Sequence, residues 1–286
     1  MKKYTHIKSL TTIAALLIIC LNSYGQDSYP QESKHEISIA VGGPFSFLKY
    51  HSAGEVQTGN GINAGIRYSY YLNEGLSIGI GAEYQTYNTD GKFGYLAGQY
   101  MTTDAEEENF QFRYKATNLR EEQKLGYINV PLVLQFETPG TSKLYLAGGF
   151  KVGFAISGSY ETKIQNLTTS GYYPQYNVEL FSPAFAGFAS TDNVKIAKQD
   201  IDTDVSYSAT IETGLKQKIS EKGWIYIGVY LDYGLNNIYD KDNTKNLVEY
   251  HPELPVQLQY NSVLETPYAN DVRLVSYGLK LRFALH

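Results

Sequence analysis

The sequence predicts an all-β protein: an antiparallel up-and-down transmembrane β-barrel of about eight strands, with short periplasmic turns and long extracellular loops. Three observations predict it. The 286 residues include 27 Tyr, 26 Gly and 12 Phe against one Cys and two Met, a composition of strand formers and tight turns. Segments of period-two alternation recur, each near the length of about 9 to 11 residues that a tilted membrane strand needs, or somewhat longer. The connections between them alternate short and long, as they do in a membrane barrel. A mean hydropathy of -0.31 does not oppose this, because alternation hides the apolar face of a barrel from any average.

The first 25 residues read as a secretory signal peptide, leaving 26–286 as the barrel domain. Lys2, Lys3 and Lys8 form a basic start, Ile13 to Leu21 an apolar run, and Asn22-Ser23-Tyr24-Gly25 a cleavage site before Gln26. The run is too short for a permanent helix across a bilayer, which needs about 20 residues. Ile19 before Cys20 lacks the small residue that lipid attachment requires. Cleavage removes three lysines and no acid, so 24 − 3 = 21 basic residues face 29 acidic ones, a net −8. That balance excludes nucleic acid as a partner, and loss of Cys20 removes any thiol or disulfide chemistry.

Eight alternating segments follow, at about 35–48, 60–72, 75–88, 122–137, 143–160, 205–218, 223–236 and 272–284. Leu72-Asn73-Glu74-Gly75, Thr138-Pro139-Gly140-Thr141-Ser142 and Ser220-Glu221-Lys222-Gly223 are the tight turns. In the third segment Leu76, Ile78, Ile80, Ala82 and Tyr84 share one face, and Ser77, Gly79, Gly81, Glu83 and Gln85 the other. The seventh sets Ile225, Ile227, Val229, Leu231, Tyr233 and Leu235 against Tyr226, Gly228, Tyr230, Asp232 and Gly234. The fifth sets Leu144, Leu146, Phe150, Val152, Phe154 and Ile156 against Tyr145, Ala147, Gly149, Lys151, Gly153 and Ser157. The apolar faces are expected to meet lipid, since the other set mixes small and charged residues as a narrow lumen does. Pro131 inside the fourth segment removes a ladder donor and implies a bulge.

The inward positions gather Arg67, Lys151, Lys216, Lys280 and Arg282 with Glu83, Glu212 and Asp232. Buried charges must be paired or hydrated, so these eight are expected to form an ionic plug; a conducting pore is the other reading. No catalytic, cofactor or metal site is expected. Gly79 and Gly81 lack a third glycine, Tyr84 standing in its place. Asp200, Asp202 and Asp204 are followed by Val205 and Ile211 where a calcium loop needs Gly and Glu.

The stretches LGYINVPLVLQF, from Leu125 to Phe136, and KLYLAGGFKVGF, from Lys143 to Phe154, resemble the paired strands of outer-membrane β-barrel domains common in Bacteroidota, the PorT-like and OmpA-like small barrels. Ser276-Tyr277-Gly278-Leu279-Lys280-Leu281-Arg282-Phe283 is similar to the C-terminal signal of such barrels, with Ser276, Gly278, Leu281 and Phe283 at its defining positions. Ala284-Leu285-His286 follow it, whereas the signal usually ends the chain. The resemblance implies the outer membrane as the compartment, its lipid as the surroundings, and the barrel assembly machinery as a partner during insertion.

The three long loops, 89–121, 161–204 and 237–271, hold ten tyrosines: Tyr95, Tyr100, Tyr114, Tyr172, Tyr173, Tyr176, Tyr239, Tyr250, Tyr260 and Tyr268. Tyrosine supplies contact surface at low entropic cost, so a non-enzymatic barrel that binds a surface ligand or anchors an envelope protein is the leading expectation. Phe110-Gln111-Phe112-Arg113-Tyr114 alternates as a strand extension would, and Phe181 to Phe188 suits a cap over the barrel or a binding patch. A narrow channel and a barrel-embedded enzyme acting on lipid stay open. For the enzyme, His51, near Ser46, Ser52 and Glu55, and His251 are the loop histidines.

Overall fold

The computed structural model describes residues 34–52, 54–239 and 244–286; the expected signal peptide lies outside them. Eight antiparallel strands close a ring. They are β1 (His35–Ser52), β3 (Asn63–Asn73), β4 (Leu76–Thr103), β5 (Asn109–Glu137), β6 (Ser142–Tyr173), β9 (Ser206–Lys218), β10 (Gly223–Gly234) and β13 (Ala269–Leu285). Each pairs with the next in that order, and β1 pairs with β13 from Ile37↔Leu285 to Ser52↔Ala269, which closes the barrel. Closure removes the exposed ladder edges of the ring, the requirement for crossing hydrocarbon with strands.

The short turns lie at one end. Asn73 Oδ1 accepts from Gly75 N at 2.9 Å between β3 and β4, and Thr138 N donates to Leu144 O at 2.9 Å between β5 and β6. From this end the outward face is a continuous apolar belt, including Ile39, Ile66, Ile80, Leu134, Leu146, Leu215, Ile227 and Leu281, all exposed. Ser157 departs from the expected faces. Gly126↔Ser157 is followed by Tyr127↔Ala155, a bulge that turns Ser157 outward. Pro131 itself carries no bulge: it keeps register opposite Lys151, and the β4–β5 ladder runs from Ile80↔Leu132 to Glu83↔Asn129 without a register shift.

At the other end β4, β5 and β6 continue far past the belt. Residues 89–121, expected as a loop, are mostly the β4–β5 ladder, paired up to Thr103↔Asn109 and turned by Asp104, whose Oδ1 accepts from Glu106 N and Glu108 N at 2.9 and 3.0 Å. The polarity of the two faces reverses there. Inward residues that are polar or charged in the belt give way to Phe93, Phe110, Phe112, Leu119 and Ile164, all buried, while charged residues other than Glu121 face out.

The remaining elements pack onto this sheet as a head. β2 (Glu55–Thr58) adds to β4, and β7 (Val178–Leu180) and β8 (Ser190–Asp200) fold back on β6. β11 (Val248–His251) and β12 (Gln257–Tyr260) form a hairpin. Tyr250 centres an aromatic cluster, edge-on to Phe110 at 5.1 Å and stacked with Phe188 at 6.3 Å between ring centroids. The expectation of loop tyrosines as free contact surface is therefore corrected: Tyr114, Tyr173, Tyr239 and Tyr250 are buried, and of the ten only Tyr95 and Tyr176 are large exposed hydrophobics. The segment 181–188 divides, with Phe188 in the core and Phe181 and Phe185 exposed.

Candidate functional site

The lumen carries the densest chemistry. Alternation aims every second side chain of each belt strand inward, and Arg67, Glu83, Lys151, Glu212, Lys216, Asp232, Lys280 and Arg282 are all buried there. They meet in layers. Farthest from the short turns, Lys151 Nζ lies 2.7 Å from Glu83 Oε1 and 2.8 Å from Asp232 Oδ2, and Lys280 Nζ lies 3.0 Å from Glu83 Oε2. Next, Glu212 takes Arg67 and Arg282, each at 3.3 Å, and Tyr145 Oη donates to it at 3.0 Å. The Arg282 guanidinium also covers the Tyr226 ring at 3.9 Å from its centroid and donates to Gln135 Oε1 at 2.8 Å.

The layer nearest the turns holds two carboxylates that were not among the expected eight. Lys216 Nζ stands 2.9 Å from both Glu36 Oε2 and Glu137 Oε1. Tyr226 Oη donates to Glu36 at 2.6 Å and Tyr71 Oη to Glu137 at 2.6 Å. Terminal His286 reaches Glu36 at 2.8 Å, and half-buried Lys143 reaches Glu137 at 3.4 Å. Two signals in the sequence point to this pair. Glu36 shares the parity of inward Ser38, and Glu137 that of inward Gln135. The eight also sum to five cations against three carboxylates, an excess of two buried charges that needs two more acids. With them the described lumen residues balance at five and five.

Above the ions the filling turns neutral, then apolar. Asn129 donates to Gln85 at 3.2 Å, and the Ser276 hydroxyl lies 2.7 Å from Ser46 and 2.9 Å from Tyr230; Tyr87, Tyr127 and Leu48 then begin the head core. Of the remaining C-terminal signal positions, Leu281 and Phe283 face out in the belt. Gly278 lies opposite Pro44 at the closing seam, where a Cβ would collide with the Gly43 carbonyl.

A second buried constellation stands in the head. Glu121, fully buried, accepts from Ser262 Oγ at 2.7 Å, Val263 N at 3.0 Å, Thr162 Oγ1 at 3.0 Å and Gln123 Nε2 at 2.9 Å. It thereby docks the 3₁₀ turn Val263–Glu265, itself closed by a Ser262/Glu265 capping box, onto β5. Burial raises the Glu121 pKa above the ordinary carboxylate value against the pull of these hydrogen bonds. The loop histidines do not join such a constellation: His251 pairs with Gln259 at 3.0 Å, and His51 lies exposed on β1 opposite Asn270.

The sequence matches the outer membrane protein beta-barrel domain family over residues 25–240. The match ends before β13, the strand that closes the ring. Among solved structures the chain is similar to Neisserial surface protein A at 10% identity, covering 87% of this chain and 96% of that one with a TM-score of 0.33. It is similar to Ail, the attachment invasion locus protein of Yersinia pestis, at 12% identity, 88% and 100% coverage and a TM-score of 0.32. The outer membrane protease OmpT of Escherichia coli follows at 9% identity, 91% and 98% coverage and a TM-score of 0.31. Likeness at this distance says nothing about activity. No curated protein matches the sequence.

Proposed function

The chain belongs to the outer membrane protein β-barrel domain family, and from that premise we propose that it is a non-enzymatic, non-conducting barrel holding a rigid extracellular head for contact with a surface ligand or an envelope protein. The observation that carries this reading is the continuation of β4, β5 and β6 past the apolar belt into a hydrogen-bonded sheet with its own aromatic core. Ordering each backbone residue costs roughly 1–2 kcal/mol, an investment that connections between strands do not need. Two loops bring Phe185 and Leu254, both exposed, to one end of the head, where Val256 N donates to Phe185 O at 3.0 Å. Apolar side chains brought together on an ordered surface mark contact sites when they form a contiguous patch, and these two are its proposed centre.

The paired, charge-balanced lumen supports a plug over a channel. The motif of β5 and β6 supports a place among the PorT-like barrels of Bacteroidota, and the basic-apolar start supports export by a cleaved signal peptide. The reading requires the short turns in the periplasm and the head outside. An epitope inserted after Gln175, in the turn following β6, should be labelled on intact cells, and one after Gly140 only on permeabilised cells. The reverse pattern would put the head inside and end the proposal.

A further inference from the structure

The outer face of the head carries charge in an arrangement that solvation does not explain. Lys92 on β4 stands directly opposite Arg120 on β5, Arg120 opposite Lys163 on β6, and Lys163 opposite Lys195 on β8. All four are exposed. Like charges directly opposed across strands oppose pairing, yet three such pairs run in succession, a stripe about 14 Å long at the usual strand spacing. Two residues closer to the belt, Asp90, Glu122 and Glu161 form a parallel row of acids. A sheet that faced only water would gain by mixing the two signs across strands. Here they are sorted from β4 to β8, Glu55 on β2 opposite Lys92 being the acid that ends the row. The acids hold the middle of the stripe, Arg120 Nε donating to Asp90 at 2.8 Å and Lys163 lying 3.4 Å from Glu161. Among the described residues Lys92 and Lys195 at its ends form no ion pair.

A cleft of about 540 Å³ opens on this stripe, lined by Glu55, Lys92, Gly94, Asn118 and Arg120 among others. Its cause is local. The β4–β5 ladder passes from Phe93↔Leu119 to Tyr95↔Thr117, skipping Gly94 and Asn118. Asn118 there has φ of 50° and turns its amide to Gln165 Oε1 at 2.6 Å. Left-handed backbone is uncommon outside glycine, and asparagine tolerates it best. At this line two consecutive residues of each long strand face out, Gly94 and Tyr95, Thr117 and Asn118, Gln165 and Asn166, with those of β5 the less exposed in part.

We propose that this stripe and cleft bind the phosphorylated oligosaccharide headgroup of an outer-leaflet glycolipid, with Lys92 and Arg120 on its phosphate and the skipped Gly94–Asn118 position beneath its sugar. Two features select this occupant. The stripe is continuous, along the same strands, with the belt that already meets lipid. Its height also excludes a simple phospholipid: Lys92 lies eight residues past Tyr84, and Arg120 eight past Ile128. At about 3.3 Å per residue and a tilt near 45° that is roughly 18 Å beyond the belt. A phospholipid headgroup layer ends about 5 to 8 Å beyond the hydrocarbon, so only a lipid bearing several sugars reaches the stripe. The inference concerns the flank of the head and is independent of what its apolar end contacts.

The test uses the full-length folded protein in detergent micelles and three probes: rough lipopolysaccharide with a phosphorylated inner core, the same material dephosphorylated, and polygalacturonate as a soluble anionic polymer. The wild type should bind the first in a salt-sensitive way and the second about tenfold more weakly, as loss of charge-assisted hydrogen bonds implies. The variant K92Q/R120Q/K163Q/K195Q should bind the first as weakly as the wild type binds the second. K245Q, a charge change elsewhere on the head, should leave binding intact. Heat-modifiable gel migration of every variant shows that the barrel is closed. Equal binding of phosphorylated and dephosphorylated lipid, or unchanged binding by the quadruple variant, would overturn the proposal. Equally tight binding of polygalacturonate would replace the glycolipid with a free polysaccharide and overturn it as well.

Discussion

Lys216 and Glu36, 180 positions apart, meet at 2.9 Å across the lumen with neither side chain open to solvent. Their strands, β9 and β1, are three steps apart around the ring, so the contact is a tie through the barrel rather than along its wall. Glu137 completes it from β5. Removing one member of such a set leaves buried charge uncompensated, which costs about 3–5 kcal/mol, whereas removing all members together can be nearly neutral. Lys216→Met should therefore destabilise the refolded barrel by that amount in urea titrations in lipid vesicles, and E36Q/E137Q/K216M should recover much of the loss. A neutral single variant would mean that the tie contributes nothing.

The assignment of faces gives opposite outcomes at adjacent positions. Ile227 is exposed in the middle of the belt on β10, so Ile227→Arg should cost about 2–4 kcal/mol in the same titrations. Gly228 beside it points inward, and a side chain there would collide with Tyr145 Oη and the Thr213 carbonyl. Gly228→Val should block refolding, measured as loss of the heat-modifiable band. Tolerance of both changes would reverse the two faces.

Glu121 couples the head to pH. A carboxyl raised in the folded state binds its proton more tightly there than in the unfolded chain. Its contribution to stability is full below the ordinary carboxylate range and is lost as pH rises through the raised value. The segment docked by Ser262 and Val263 should thus become more open to proteolysis as pH rises across that window. Glu121→Gln, which does not titrate, should flatten the dependence. Glu121→Leu removes the acceptors of two hydroxyls, a side-chain amide and a backbone N–H, and should loosen the segment at every pH, by about 1–3 kcal/mol for each donor left unsatisfied.

The belt was legible because its rule is simple: apolar out, polar in, turns at one end. The same rule concealed the head. In residues 89–121 the inward side is mostly apolar and the outward side bears Lys92, Lys115 and Arg120, so a search for lipid-facing alternation reads those residues as loop. Only Phe110, Phe112 and Tyr114 gave the strand away. The irregular line at Asn118 breaks the period further, since Leu119 and Ala116 are both buried. Glu36 and Glu137 were readable from parity and charge balance, because both depend on the alternation alone. The docking of Ser262 on Glu121 was not, for it joins residues 141 positions apart through a loop without a period.

Conductance across a planar lipid bilayer tests the closed barrel most directly. With its five lumen cations and five carboxylates paired among the described residues and Tyr87 and Tyr127 buried above them, the wild type should insert without discrete channel steps. E83A/D232A, which strips Lys151 of both partners, should admit water and show small, flickering currents. Stable nanosiemens-scale openings of the wild type would contradict the plug and make the protein a channel.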